Sequence, residues 1–123
     1  MSQSFPSRKF WLSLLQLINQ HPVVIDRPKG TAHPRYPDLI YPVDYGYLEG
    51  TASMDQGGID VWRGSQNSLI LNGIICTVDL TKSDSEIKLL LGCTENEINQ
   101  IFNKHNEFTQ AGLWVPNPLL SET

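Results

Sequence analysis

The segment from Tyr41 to Val61 restricts the fold and function of this chain more than any other. Its first part alternates aromatic residues with others, as a β-strand does, and then runs into a turn. The turn presents two carboxylates, Asp55 and Asp60, with the pair Gly57-Gly58 between them, where a third acid would be expected. Carboxylate oxygens suit a hard cation such as Mg²⁺ and, through the cation, a phosphate group. The segment therefore predicts a strand, a candidate metal loop and a second strand.

Length and composition favour a single domain that folds without disulfide bonds. The chain has 123 residues, of which 40% are hydrophobic, so it can bury a core of its own. Cys76 and Cys93 have no metal-ligand spacing, and we expect reduced thiols in a cytoplasmic protein. The net charge of −4 argues against binding to nucleic acid or an anionic membrane, because both need a basic surface. No run of about 18 apolar residues predicts a transmembrane span.

One helix is expected near each end of the chain. Residues 8–20 have apolar side chains at helical spacing, with Ser7 as a plausible N-cap and Pro22 as a stop. This amphipathic helix either covers a sheet or makes a dimer contact. It faintly resembles a signal peptide but lacks a cleavage site, so we interpret it as part of the folded domain. Near the other end, the capping box Thr94-Glu-Asn-Glu97 predicts a helix over 95–108.

Short strands are expected between the helices, over residues 22–25, 44–48, 59–62, 68–78 and 87–91. In the longest, Asn72-Gly73 is either a hairpin turn or a bulge. Residues 26–42 carry four prolines, which lack an N–H donor, and are expected to form irregular surface chain. The pattern predicts a mainly β domain with flanking helices, folded as a small antiparallel barrel or meander.

Three groups of acids are candidates for metal binding: Asp55 with Asp60, Asp79 with Asp84 and Glu86, and Asp26 alone. Acids at the ends of neighbouring strands repel one another unless a cation or a proton lies between them. The alternative is that these acids are ordinary turn residues, because Asp is favoured in turns.

Cations and hydroxyl groups that could bind phosphate are fewer. The basic candidates are Lys29, Arg35, Arg63, Lys82 and Lys88, each of which is otherwise a solvated surface charge. Tyr41 and Tyr45 lie on one face of a pleated segment, where their hydroxyls either donate to phosphate or pack in the core. The three histidines are scattered and no nucleophile motif or P-loop is present, which argues against a triad hydrolase and a P-loop nucleotide hydrolase.

Taken together, these motifs resemble the soluble inorganic pyrophosphatases of family I. The signature is Tyr41-Pro-x-x-Tyr45-Gly-Tyr-Leu-x-x-Thr51-x-x-x-Asp55-x-x-x-Ile59-Asp60-Val61. Val24-Ile25-Asp26-x-Pro28 and Gly73-Ile-Ile-x-x-Val-Asp79 resemble two further strands of that family, and Gly112-Leu-Trp114 its closing Gly-x-Trp. The resemblance covers most of residues 23–115, with 8–20 as an added helix and 116–123 as a tail of one domain, 1–123.

The resemblance implies a small five-stranded OB-like barrel and Mg²⁺-dependent hydrolysis of pyrophosphate to phosphate. By position it implies Asp26, Asp55, Asp60 and Asp79 as metal ligands, with Asp55, Asp60 and Lys88 in the catalytic centre. The next ligand is Asp84 by distance from Asp79, or Glu86 by distance to Lys88. Tyr45 and Lys88 would contact phosphate, Arg35 would replace the family's first phosphate-binding lysine, and Tyr41 is a further candidate. The family's oligomeric state implies a homo-oligomer.

The departures from the family pattern weaken the catalytic part of this reading. Gly57 stands where the family carries the acid that serves as base, and general-base help is typically worth about 10²–10⁴-fold in rate. Asn106 and Glu107 stand where a Tyr-Lys pair binds the leaving phosphate, so less positive charge faces the transition state.

Three functions follow. The first is a Mg²⁺-dependent hydrolase with an eroded site, acting on pyrophosphate or on a bulkier diphosphate. The second is a catalytically silent relative that binds a metal or a phosphorylated metabolite. The third is an OB-like domain with an unrelated role, because a fold does not determine function.

Overall fold

The computed structural model describes residues 4–53 and 57–121. Within them the chain forms two α-helices, six β-strands and one short 3-10 helix. In chain order these are α1 (Ser4–Gln20), β1 (Val23–Arg27), β2 (Asp44–Leu48), β3 (Ile59–Arg63), β4 (Leu71–Asp79), β5 (Asp84–Leu91), α2 (Glu95–Lys104), β6 (Gln110–Pro116) and the 3-10 helix Pro118–Ser121. Neither α-helix of the described chain is long and apolar enough to cross a membrane.

The strands form one mixed sheet with the order β1-β2-β3-β5-β4-β6. All neighbouring pairs are antiparallel except β3 and β5, which run parallel. β4 and β5 form a hairpin, and its second strand, β5, lies beside β3. Asn72-Gly73 is a bulge rather than a hairpin turn, since the β4–β5 register shifts between Leu71 and Gly73 while β4 continues to Asp79.

Helix α1 covers one face of the sheet, as the sequence predicts. Trp11, Leu14 and Ile18 recur at helical spacing and are buried against strand residues that include Val61 and Leu89. A second cluster lies on the opposite face, where Ile101 of α2 packs with sheet residues such as Ile75 and Leu90. The sheet is therefore a middle layer between two helices.

The N-terminus of α2 is held by the predicted capping box. The Thr94 hydroxyl accepts from the Glu97 backbone N–H at 3.2 Å, and the Glu97 carboxylate accepts from the Thr94 N–H at 2.8 Å. The helix ends at Lys104, four residues earlier than the predicted 108, and Phe108 already has a positive φ of 56° in the turn that leads to β6.

A mainly β fold with flanking helices is confirmed, but the five-stranded OB-like barrel is not. The sheet has a sixth strand, β6, which pairs with the outer edge of β4 over residues 110–116. In the described chain β1 and β6 lie at opposite ends of the strand order, so the sheet is open rather than closed by hydrogen bonds. The antiparallel expectation is wrong for one pair, β3 with β5.

Candidate functional site

Strand register gathers the candidate residues on the α2 side of the sheet. Paired residues on neighbouring strands share a face, and so do alternate residues along one strand. Asp60 of β3 is paired with Lys88 of β5, and Tyr45 of β2 is paired with Trp62 of β3. Glu86 lies two positions before Lys88 on β5. Residues from three strands therefore meet in one place.

Lys88 is the centre of this group. Its ammonium donates to Asp60 Oδ2 at 2.7 Å and to the Tyr45 hydroxyl at 3.0 Å, and it lies 3.6 Å from Glu86 Oε1. Burial alone would lower the pKa of Lys88, but the oxygens of Tyr45 and Asp60 outweigh it and raise the pKa above its usual value. The site thus holds a fixed positive charge at neutral pH.

Tyr45 stays protonated beside this ammonium. Burial is the largest effect on its phenol and raises its pKa above the usual value. Its ring packs against Trp62 with centroids 4.5 Å apart and stacks on Tyr41 at 5.4 Å. The core-packing reading of the tyrosines holds for Tyr45, whose hydroxyl accepts from Lys88, and its donation to phosphate stays a prediction.

Glu86 carries the clearest sign of a ligand. Its side chain is only 15% exposed, and Oε2 has no hydrogen-bond partner among the described residues. A buried carboxylate oxygen without a partner is costly, because it has lost water and gained nothing in return. A cation or a donor brought by a ligand would satisfy it.

Arg27 is a site residue that the sequence did not reveal. Its Nη1 donates to the Tyr41 hydroxyl at 2.9 Å, and its guanidinium lies 5.9 Å from the centre of that ring. The neighbouring Asp26 is exposed and falls at the register shift between β1 and β2. A lone arginine in a short strand has no spacing signal, so only the strand pairing could place Arg27 here.

Asp79 and Asp84 have different surroundings, although they face each other across the β4–β5 turn. Asp79 Oδ1 accepts from the backbone N–H groups of Thr81 and Lys82, at 2.9 and 3.2 Å, and Oδ2 accepts from Gln110 Nε2 at 3.3 Å. The Lys82 N–H is the largest of several effects that lower the pKa of Asp79. Asp79 therefore has the contacts of a turn-stabilising residue, and Asp84 is exposed.

His105 is a second residue that the sequence reading undervalued. Its Nε2 accepts from Trp62 Nε1 at 2.9 Å, and Nδ1 donates to Gln110 Oε1. Burial is the main cause that lowers its pKa to about 4, so the imidazole is neutral at physiological pH. His105 directly follows the last residue of α2 and is buried.

Two cavities open above these residues. The larger, of about 570 Å³, is lined by residues of the loop 33–41, of the sheet and of the segment that joins α2 to β6. The smaller, of about 270 Å³, is lined by acids and bases that include Asp26, Arg27 and Asp60. Six residues line both: His33, Tyr41, Tyr45, Lys82, Glu86 and Lys88. The two cavities are thus halves of one cleft.

The structure brings together most, but not all, of the predicted site residues. Asp26, Tyr41, Tyr45, Asp60, Asp79, Asp84, Glu86 and Lys88 line one or both cavities. Arg35 is exposed in the proline-rich loop and lines neither cavity, whereas Arg27 and Lys82 supply positive charge there. Asp55 lies outside the described residues.

One carboxylate oxygen in the cleft, Glu86 Oε2, could serve as a metal ligand. Mg²⁺ typically takes one or two carboxylates and completes its shell with water and phosphate oxygens. Glu86 Oε2 has no partner and could supply one such oxygen, whereas Asp60 is paired with the Lys88 ammonium at 2.7 Å. In the described ranges 4–53 and 57–121, no three His, Cys, Asp or Glu side chains are grouped as a metal cluster.

Comparison with known proteins supports the fold and leaves the activity open. No protein-family model matches the sequence, and no curated protein sequence matches it. Among solved structures, the chain is similar to the inorganic pyrophosphatase of the bacterium Helicobacter pylori, at 15% identity, a TM-score of 0.51, and coverage of 76% of this chain and 81% of that one. It is similar to an inorganic phosphatase from Anaplasma phagocytophilum at 12% identity, with the same TM-score and coverage. At these identities the likeness shows a pyrophosphatase-like fold alone.

Proposed function

We propose that this chain is a Mg²⁺-dependent hydrolase of inorganic pyrophosphate or a related phosphoanhydride, with an eroded active site. The observation that carries the proposal is the contact between the buried Lys88 ammonium and the Glu86 carboxylate, which has one unpartnered oxygen. The ammonium provides positive charge for a phosphate oxygen, and the carboxylate provides an oxygen ligand for a hard cation. The pyrophosphatase-like fold supports the same reading.

The chain's own residues would bind and orient the phosphates. Lys88 is held in place by Asp60 and Tyr45, so its charge needs no rearrangement when a phosphate arrives. Arg27 and Tyr41 form a second donor pair at the same cleft. Phosphoryl transfer depends mainly on such positioning and on stabilisation of charge in the transition state.

Glu86 and Asp60 are the described residues that would hold Mg²⁺, and Asp55 remains a proposed third ligand. When bound, the ion would neutralise phosphate charge and make coordinated water more acidic. Gly57 lines the smaller cavity at the position where the resemblance expects a base. Because a general base is typically worth about 10²–10⁴-fold, we expect hydrolysis to be slow.

A catalytically silent binding module is the second candidate, and two observations favour it. The Asp60 carboxylate is already paired with Lys88 at 2.7 Å, which reduces its value as a metal ligand. Both oxygens of Asp79 accept hydrogen bonds from its own turn and from Gln110. Such a module would bind Mg²⁺ or a small phosphorylated ligand without turnover.

Phosphate release from pyrophosphate, measured with Mg²⁺ and with chelator, tests the first candidate. We expect release to require Mg²⁺ and to fall about tenfold or more in Glu86→Gln, which keeps the side-chain shape but removes the charge. Glu95→Gln is the control, because Glu95 is an exposed acid on α2, away from the cleft.

The outcomes separate the two candidates and the two possible ligands. Phosphate release that chelator leaves unchanged, or that is no faster than without the protein, would contradict Mg²⁺-dependent hydrolysis. Calorimetric binding of Mg²⁺ with pyrophosphate but no release would establish the silent module. A greater loss in Asp84→Asn than in Glu86→Gln would transfer the ligand role to Asp84.

A further inference from the structure

We propose that the larger cavity binds a planar organic group attached to the phosphates, so that the ligand is a nucleoside diphosphate or a similar aromatic phosphoanhydride. The inference rests on the phosphate site proposed above and specifies the class of ligand that this site binds. Pyrophosphate itself has only charged oxygens and would make no use of an apolar wall.

The size and position of the larger cavity support a ligand with two parts. Its volume of about 570 Å³ lies in the range of about 300–1,000 Å³ that is typical of small-molecule sites. It shares Lys88, Lys82 and Tyr41 with the smaller, charged cavity. A ligand whose phosphates contact Lys88 can therefore extend into the larger cavity without leaving the cleft.

The wall of the larger cavity is aromatic and accessible. Tyr36 is 51% exposed, Ile40 47% and Phe108 94%, although all three are large apolar side chains. Scattered exposed apolar residues are common, but a group around one cavity beside a charged site indicates ligand binding. Tyr36 and Ile40 come from the proline-rich loop, and Phe108 from the segment after α2, so the walls face the cleft from two elements.

The rings on one wall are arranged in a series that favours a flat ligand over a flexible hydrocarbon. His33 lies 5.1 Å from Tyr36 and is stacked on Tyr41 at 6.3 Å, and Tyr41 is stacked on Tyr45 at 5.4 Å. The series leads from the exposed Tyr36 ring to the Tyr45 hydroxyl that contacts Lys88. A planar heterocycle can stack on the exposed Tyr36 ring, with its phosphates in the part of the same cavity that Lys88 lines.

Calorimetric titration with Mg²⁺ and three probes tests this inference: pyrophosphate, adenosine diphosphate and isopentenyl diphosphate. We expect adenosine diphosphate to bind most tightly. In Tyr36→Ala the ratio of its affinity to that of pyrophosphate should fall about tenfold, since one stacked base contributes about 5- to 150-fold to affinity. Phe10→Ala is the matched control, because Phe10 is a partly exposed aromatic residue on α1, across the sheet.

Each other outcome overturns the inference in a recognisable way. Tight binding of pyrophosphate with weaker binding of adenosine diphosphate would refute the organic group and leave the phosphate site intact. Tightest binding of isopentenyl diphosphate would refute the planar group. Binding of none of the probes would overturn both this inference and the proposed function. An unchanged affinity ratio in Tyr36→Ala would show that the aromatic wall plays no part in recognition.

Discussion

Mild acid is expected to destabilise this fold through His105. The imidazole is 7% exposed and sits between Trp62 Nε1, which donates to its Nε2, and Gln110 Oε1, which accepts from its Nδ1. A proton added to Nε2 would meet the Trp62 N–H and would leave a charge in a buried site. The folded state therefore holds this histidine in its neutral form.

The expected magnitude follows from the two pKa values of His105. Burial lowers the pKa from 6.5 to about 4, and each pKa unit corresponds to about 1.4 kcal/mol. Below pH 6.5 the unfolded chain binds the proton and the folded chain does not, so the free energy of unfolding falls as the pH falls. The loss is about 2 kcal/mol between neutral pH and about pH 5, and roughly 3 kcal/mol once the pH reaches about 4.

Urea unfolding followed by tryptophan fluorescence at about pH 7.5 and about pH 5 measures this loss. We compare wild type with His105→Gln, which keeps an acceptor for Trp62 but does not titrate. The wild type should lose about 2 kcal/mol more than the variant over this interval. His21→Gln is the control, because His21 bonds to the Glu49 carbonyl, away from the Trp62 network.

Two outcomes would refute the reasoning. One is an equal loss of stability in wild type and His105→Gln between the two pH values. The other is a titration of the His105 imidazole near its ordinary pKa in the folded protein, observed by NMR. Either would mean that protonating His105 costs the folded protein no more than it costs the unfolded chain.

Two further predictions concern backbone packing and thiol reactivity. In Gly46→Ala the new Cβ would lie 1.8 Å from the Val24 carbonyl oxygen, so β1 and β2 must separate, and we expect urea unfolding to show a loss on the order of 4 kcal/mol; a loss below about 1 kcal/mol would contradict the close approach. Burial raises the pKa of Cys93 to about 12, while Cys76 is only half-buried. A thiol reagent should therefore modify Cys76 in the native protein and Cys93 only after unfolding. Modification of Cys93 before Cys76 would contradict this prediction.

Local elements were predictable because neighbouring residues determine them. β2 was expected over 44–48 and is found there, since its alternation is visible within one short segment. The start of α2 was predictable from Thr94 and Glu97, which satisfy each other's backbone groups without help from the rest of the chain. Helix α1 was recognised from its apolar face, although it begins at Ser4 instead of residue 8.

Pairing between distant strands was not predictable in the same way. Residues 110–116 form β6 because the outer edge of β4 is available for pairing. The sequence of that segment contains no strand pattern that predicts this pairing. The parallel pairing of β3 with β5 likewise depends on where the hairpin of β4 and β5 packs along the sheet. The family resemblance predicts closure into a barrel, which would need the strands at the two edges of the sheet, β1 and β6, to meet. No local sequence pattern encodes that contact.

For the candidate site, the sequence alone determined which chemical groups are present, and the tertiary structure decided which of them meet. The acids, the tyrosines and Lys88 were recognisable from their types and spacing as candidates for binding a metal or a phosphate. Only the tertiary structure placed Asp60 2.7 Å from Lys88 and Arg27 beside Tyr41, left Arg35 outside the cleft and bonded Asp79 to Gln110. The physical reason is that residue chemistry is local, whereas register across strands joins residues that lie tens of positions apart in the chain.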